Sequence, residues 1–211
     1  MKPRQMSSMG LALATAMLLS ACAGSKGPTL PPSTSYGSQT ASPEQYNYLI
    51  GPGDEVQIFV WRNPEVSQSV TVRPDGKIST PLVEDLQASG KTPTQLARDI
   101  EKRLSKYIQE PIVTVMVSGF TGPYTEQIRV IGQAAKPQAL PYRQNMSLLD
   151  VMIAVGGITD FADGNHASIL RMHGGRQQFT VRLEDLVKGG NLAANVEMRP
   201  GDILIIPESW F

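Results

Sequence analysis

Cys22 is the only cysteine in the 211-residue chain, so any thiol chemistry belongs to it alone. It stands directly behind Leu19-Ser20-Ala21 and the apolar run Met9–Leu19, with Lys2 and Arg4 ahead of that run. A positive start, a short apolar stretch and small residues form a secretory signal, and the stretch falls short of the roughly 20 apolar residues of a permanent membrane span. A thiol at the cut is placed for covalent modification, although Ala21-Cys22-Ala23 also fits the small-x-small pattern of an ordinary signal peptidase. The rest of the chain has no thiol, which excludes disulfides, zinc-thiolate centres and cysteine catalysis from its folded part. His166 and His173 are the only histidines. Neither lies in an H-E-x-x-H frame, and both read as surface residues. The loop Thr159–Gly164 lacks the D-x-D-x-D-G register and closing glutamate of a calcium loop and reads as a capped turn. Glu84 and Asp85 are adjacent and point apart, poor geometry for a glycosidase pair. The sequence therefore predicts no catalytic residue, no metal site and no cofactor.

One phrase occurs twice. Gly51-Pro52-Gly53-Asp54 precedes Val56-Gln57-Ile58, and Arg199-Pro200-Gly201-Asp202 precedes Ile203-Leu204-Ile205-Ile206. In each, proline fixes φ, glycine accepts a backbone conformation barred to other residues, and aspartate can cap free amides before a strand begins. The residues predict a structural turn that binds no ligand.

The elements that would position these groups follow from periodicity. Lys and Arg total 19, as do Asp and Glu, with no block of like charge. That balance predicts neither a basic face for nucleic acid nor an acidic face for a cationic partner. Residues 22–45 are rich in Gly, Ser, Thr and Pro, with too little apolar surface to fold, and read as a tether. Glu55–Trp61 alternates as a strand. Ser69–Arg73 and Lys77–Pro81 flank Pro74-Asp75-Gly76, which predicts a hairpin. Thr92-Pro93-Thr94-Gln95 is a capping box opening a helix; its apolar face comprises Leu96, Ala97, Ile100, Leu104, Tyr107 and Ile108, and its end is expected near Gln109, ahead of Pro111. Val113, Val115 and Val117 mark another strand. Beyond Phe120–Pro123 come a hairpin of Gln127–Gly132 with Gln138–Tyr142, a helix capped by Ser147 and Asp150 and stopped by Gly156-Gly157, a hairpin of Ala167–Met172 with Gln178–Leu183, and a closing strand Asp202–Ile206. The expected fold class is α+β: a small α/β unit over 46–120, then a β-grasp unit over 124–207, a mixed sheet curled around one helix.

Leu19-Ser20-Ala21-Cys22 resembles the lipobox of bacterial lipoproteins. That resemblance implies diacylglycerol on the thiol, an acylated amine and a mature chain starting at Cys22, with residues 1–21 removed. Several acyl chains, at ~0.8 kcal/mol per buried methylene, are a sufficient anchor. Ala23 in place of an aspartate leans toward the outer membrane, facing the periplasm.

Tyr48–Ile58, Val72–Ile78 with Pro81-Leu82, and Leu96–Leu104 with Tyr107 and Pro111–Val115 resemble the export domain of the Wza-type outer-membrane polysaccharide export family. Val130-Ile131-Gly132, Ser147–Asp150, Ala154–Gly157 and Arg199–Asp202 are similar to its soluble-ligand-binding (SLBB) β-grasp domain. Pro137-Gln138 stands where that domain usually has Pro-Gly. A single β-grasp domain is expected, and the chain stops at Pro207–Phe211, where Wza-like members continue into a pore helix. The resemblance implies a passive conduit for exopolysaccharide or capsule polymer, built as a homo-oligomeric ring between an inner-membrane polymerase with its chain-length regulator and a separate outer-membrane barrel. A monomeric lipid-anchored module binding polysaccharide or peptidoglycan is the alternative, and a polysaccharide hydrolase is a third reading. Trp61, Tyr124, Tyr142 and Phe161 are the residue types that could stack on sugar rings, though filling a core or a domain interface is the stronger reading of each. A deep specific pocket is not expected.

Overall fold

The computed structural model describes residues 46–173 and 175–210; the signal, Cys22 and the tether lie outside the described residues. The fold is α+β, organised around two hydrophobic cores.

The first core begins with β1 (Glu55–Val60), where Val56, Ile58 and Val60 are buried and Glu55, Gln57 and Phe59 face outward. β2 (Gln68–Thr71) and β5 (Val113–Ser118) flank β1, both antiparallel. The helix α1 (Pro93–Leu104) presents Leu96, Ala97, Ile100 and Leu104 to this core. Its capping box forms as the sequence dictates, with Gln95 N donating to Thr92 Oγ1 and Thr92 N donating to Gln95 Oε1. Arg98 reaches the carbonyl of Val113, and Glu101 accepts its amide at 2.9 Å, fixing α1 to the start of β5.

Two expectations fail here. The Pro74-Asp75-Gly76 reversal forms, with Gly76 at φ +78° and its amide on Arg73 O, but its arms part into different sheets. β2 joins β1, while β3 (Lys77–Thr80) pairs with β4 (Val83–Gln87), a strand hidden in the sequence by Glu84-Asp85. The β3–β4 register shifts between Ile78 and Thr80, and Leu82 in the connection holds φ +66°. The second failure is the end of α1. The helix stops at Leu104, and Tyr107 and Ile108 both donate to the Leu104 carbonyl in a terminal turn. That turn rotates Tyr107 out to solvent and leaves only Ile108 against the core.

The second core is built on one sheet of order β7-β6-β10-β8-β9, with β6 (Gln127–Gly132), β7 (Ala139–Pro141), β8 (Ala167–Arg171), β9 (Gln177–Val181) and β10 (Ile203–Ile206). β10 runs parallel to β6 and antiparallel to β8, so the sheet is mixed as a β-grasp requires. Gly132 sits at φ +90° where any Cβ would lie 2.0 Å from Ile206 O, so the parallel pair closes only over glycine. The helix α2 (Leu148–Val155) buries Leu148, Val151, Met152 and Val155, carries the Ser147/Asp150 capping box, and ends at Gly156 with φ +79°. The last arm of the third predicted hairpin is shorter than expected. β9 ends at Val181, and Leu183 opens α3 (Leu183–Val187), whose Leu183 and Leu186 close the core's edge.

Candidate functional site

The two Pro-Gly-Asp turns place their carboxylates in the interior. Asp54 has no exposure and accepts four hydrogen bonds. Oδ1 takes the amides of Thr121 at 2.7 Å and Gly122 at 3.2 Å; Oδ2 takes the amide of Gly51 at 2.9 Å and the hydroxyl of Tyr48. Gly53, at φ +89°, lets the chain fold back to make this possible. Thr121 and Gly122 belong to the segment joining the cores. From the other side Gln127, also buried, donates its side-chain amide to the carbonyls of the same two residues at 3.1 and 3.3 Å. Gly51 packs so closely here that a Cβ would lie 2.0 Å from the Gly122 carbonyl carbon. The joint is thus held on both faces by buried side chains.

Asp202 is equally buried but serves a different partner. Arg171 grips it with two parallel bonds, Nε to Oδ1 at 2.9 Å and Nη2 to Oδ2 at 2.7 Å, while the Arg199 amide caps Oδ2 at 2.9 Å. The guanidinium is itself mostly buried and lies 5.4 Å from the centre of the Phe179 ring. One turn motif therefore yields an amide hub in the first core and a charge pair in the second. Tyr48, Gln127 and Arg171 were not singled out in the sequence, because nothing local marks which side chain the fold brings to each turn.

Aromatic rings surround the joint. Tyr46 packs edge-on against Tyr142 at 4.9 Å in the second core, and Tyr48, two residues on, packs edge-on against Phe120 at 5.4 Å beside the first. With Arg143 and Gln144 they line a cavity of about 680 Å³. Burial and the nearby Glu126 push the Tyr46 hydroxyl up to about 12, and burial together with the Asp54 bond pushes that of Tyr48 higher still. Both stay neutral donors at physiological pH.

The four sugar-stacking candidates do not converge. Trp61, Tyr124 and Phe161 are exposed at separate places, Trp61 edge-on to Phe59 at 6.4 Å on the open side of β1. Tyr142 is 5% exposed, and core packing is its evident role. His166 lies in a 3-10 turn with Nδ1 2.8 Å from Asp163, and Asp85 of β4 pairs with Arg73, which stands at the turn ahead of β3. Among the described residues no group of His, Cys, Asp or Glu is arranged to hold a metal ion, and no helix is long and apolar enough to cross a membrane.

The neutral composition hides one local excess. Two further cavities, of about 560 and 360 Å³, share Arg103 and Lys106 as walls at the C-terminal end of α1. Lys91 and Lys102 line the smaller one. Glu84 and Asp99 stand among these cations, so the excess is local, gathered by the last turn of α1, and does not amount to a basic face.

Comparison with known families matches residues 42–118 to the polysaccharide biosynthesis/export protein family and residues 126–206 to the SLBB domain, the two models abutting across the joint that Asp54 and Gln127 hold. The chain carries a polysaccharide biosynthesis/export domain followed by an SLBB domain. It is similar to the EPS I polysaccharide export outer membrane protein EpsA of Ralstonia nicotianae, 26% identical over 185 residues covering 76% of this chain and 47% of the relative. The capsule polysaccharide export outer membrane protein CtrA of Neisseria meningitidis is 29% identical over 192 residues, 81% of this chain and 46% of the relative. The polysialic acid transport protein KpsD of Escherichia coli is 26% identical over 160 residues, 76% of this chain and 28% of the relative. The chain thus spans about half or less of the length of these family members. An export domain thus precedes a β-grasp domain in this chain.

Proposed function

We propose that this chain is a lipid-anchored periplasmic component of an exopolysaccharide or capsule export machine, assembling into an oligomeric conduit that hands polymer to an outer-membrane channel. Residues 1–21 are the signal, 22–45 the tether from an acylated Cys22, 46–120 the export domain and 124–207 the SLBB domain. The observation that carries this reading is the ordered pair of family matches, with a buried amide hub at their joint placed to hold them at a fixed angle. A fixed angle between two domains is what lateral packing into a closed ring needs, since a hinge there would leave ring size undefined. The outward side of the first sheet supports lateral packing: Phe59, Trp61, Ile112 and Met116 expose apolar surface along β1 and β5. The relatives' names as outer membrane export proteins support the location. The conduit is passive and non-enzymatic, with energy supplied by inner-membrane partners. The test is a strain lacking this chain, with newly made polymer followed in medium, cell surface and periplasm. Loss of external polymer, restored by the intact chain and not by Cys22→Ser, is the expected result; unchanged secretion overturns the reading. Native mass of the solubilised protein checks the ring, and a strict monomer would favour a polysaccharide-capture module.

A further inference from the structure

The groove at the end of α1 is a built surface. Lys102 and Arg103 occupy the last turn of the helix and Lys106 follows it, and none of the three makes an ion pair among the described residues. The fourth cation, Lys91, is held by Asp99. Cations in a last helical turn are expected from the helix dipole. The dipole does not account for what stands beside them. Tyr107 is 65% exposed on the cavity wall, turned outward by the terminal turn, and Leu82 is 49% exposed at φ +66° on the facing β3–β4 connection. A side chain of that size in the left-handed region costs on the order of 1–2 kcal/mol, and such strain concentrates where binding needs it. Glu84 completes the wall, an acceptor opposite the cations.

We propose that this groove binds an acidic polysaccharide, with sugar carboxylates on Arg103 and Lys106, a pyranose face on Tyr107 against Leu82, and sugar hydroxyls donating to Glu84. The cavity of about 560 Å³ falls within the roughly 300–1,000 Å³ of small-molecule sites. The shape favours a glycan over a lipid surface: the cations line a concavity with an aromatic wall, whereas a bilayer needs them on a convex or flat face. The proposal rests on the export reading and gives it a substrate class, a polymer bearing uronate or similar acidic groups. Open, solvated cation contacts hold such a chain weakly and release it, as transport requires.

The test is saturation-transfer-difference NMR of tetragalacturonate with the full chain in an uncharged detergent, alongside neutral cellotetraose and phosphatidylglycerol vesicles. Tetragalacturonate is expected to bind, with affinity falling as salt rises, and cellotetraose to bind at least about tenfold more weakly, the loss of the charge-assisted bonds. The exposed pair Arg103→Gln/Lys106→Gln is expected to weaken tetragalacturonate about tenfold without lowering Tm, and Tyr107→Ala to reduce transfer to ring protons. No binding by the native chain, equal binding of the neutral sugar, indifference to the double substitution, or binding of vesicles alone would each overturn the proposal. Secretion is measured in parallel. Failed binding with secretion still dependent on the chain rejects the groove alone, whereas intact binding with secretion independent of the chain supports the groove and rejects the export reading.

Discussion

At the scale of single residues, the two buried aspartates show that a motif fixes backbone geometry and leaves its purpose to the surroundings. Asp54 answers neutral donors, so Asp54→Ala leaves three amides and a tyrosine hydroxyl without the acceptor they share. Each unsatisfied buried donor costs about 1–3 kcal/mol before relaxation and water entry, so a loss of about 3 kcal/mol is expected. For a domain of this size that lowers Tm by roughly 6–12 °C, measurable by calorimetry. Asp54→Asn keeps one acceptor oxygen and should fall between the alanine variant and the native chain. Asp202 answers a charge instead. Asp202→Ala leaves Arg171 buried without its counter-charge, a loss of about 3–5 kcal/mol. Adding Arg171→Met removes the orphan and is expected to recover at least about 1 kcal/mol. A double-mutant cycle reads this directly: coupling near zero would mean that the pair contributes nothing beyond its separate contacts.

At the scale of elements, both long helices start with capping boxes, and one of them titrates. Hydrogen bonds from the Ser147 hydroxyl and amide hold the Asp150 carboxyl below its ordinary value of 3.8. A carboxyl depressed in the folded state contributes stability above its unfolded pKa and loses it as pH falls through the folded value. The Tm gap between the native chain and Asp150→Asn is therefore expected to be largest above about pH 5 and to close below pH 3.8. Asp150 is largely exposed, so the gap is modest, and a gap unchanged at pH 2.5 would deny the carboxylate its capping role. These helices were legible because a cap is a local device, four residues that satisfy their own amides. The β-grasp strands were legible for a related reason: Gly132, Pro141, Gly201 and Pro207 mark the ends of β6, β7 and β10, and β10 alternates in burial. What escaped was set by tertiary context. β4 reads as a polar loop because Glu84 and Asp85 face water, and β2 looks like the partner of β3 because the turn between them is real, although each prefers another strand. The groove escaped for the same reason, since Leu82 and Arg103 stand far apart in sequence and the terminal turn that presents Tyr107 has no marker stronger than Pro111, which lies too far along.

At the scale of the molecule, the joint decides whether two cores behave as one body. The entering chain straddles it, with Tyr46 packed on the second core and Tyr48 on the first. Asp54 and Gln127 then clasp Thr121 and Gly122 from opposite sides. Among the described residues no strand is shared between the sheets, so these few buried bonds and the aromatic contacts around them carry the coupling expected here. Cooperative unfolding depends on such coupling exceeding the difference in stability between the parts. Calorimetry of the native chain is expected to give a single transition with calorimetric and van't Hoff enthalpies equal. Gly51→Ala drives a methyl to within 2.0 Å of the Gly122 carbonyl carbon and must push the linker off the first core. In that variant, or in Asp54→Asn/Gln127→Ala, the trace should split into two transitions. In Gly51→Ala, which leaves the second core's own contacts untouched, that core should then melt near the native Tm while the first melts earlier. A shifted but still single transition in both variants would mean that the cores are coupled by a wider surface than the clasp. In that case the fixed angle invoked for ring closure would rest on the aromatic packing of Tyr46 on Tyr142 and Tyr48 on Phe120, and Tyr46→Ala would become the substitution that separates the two.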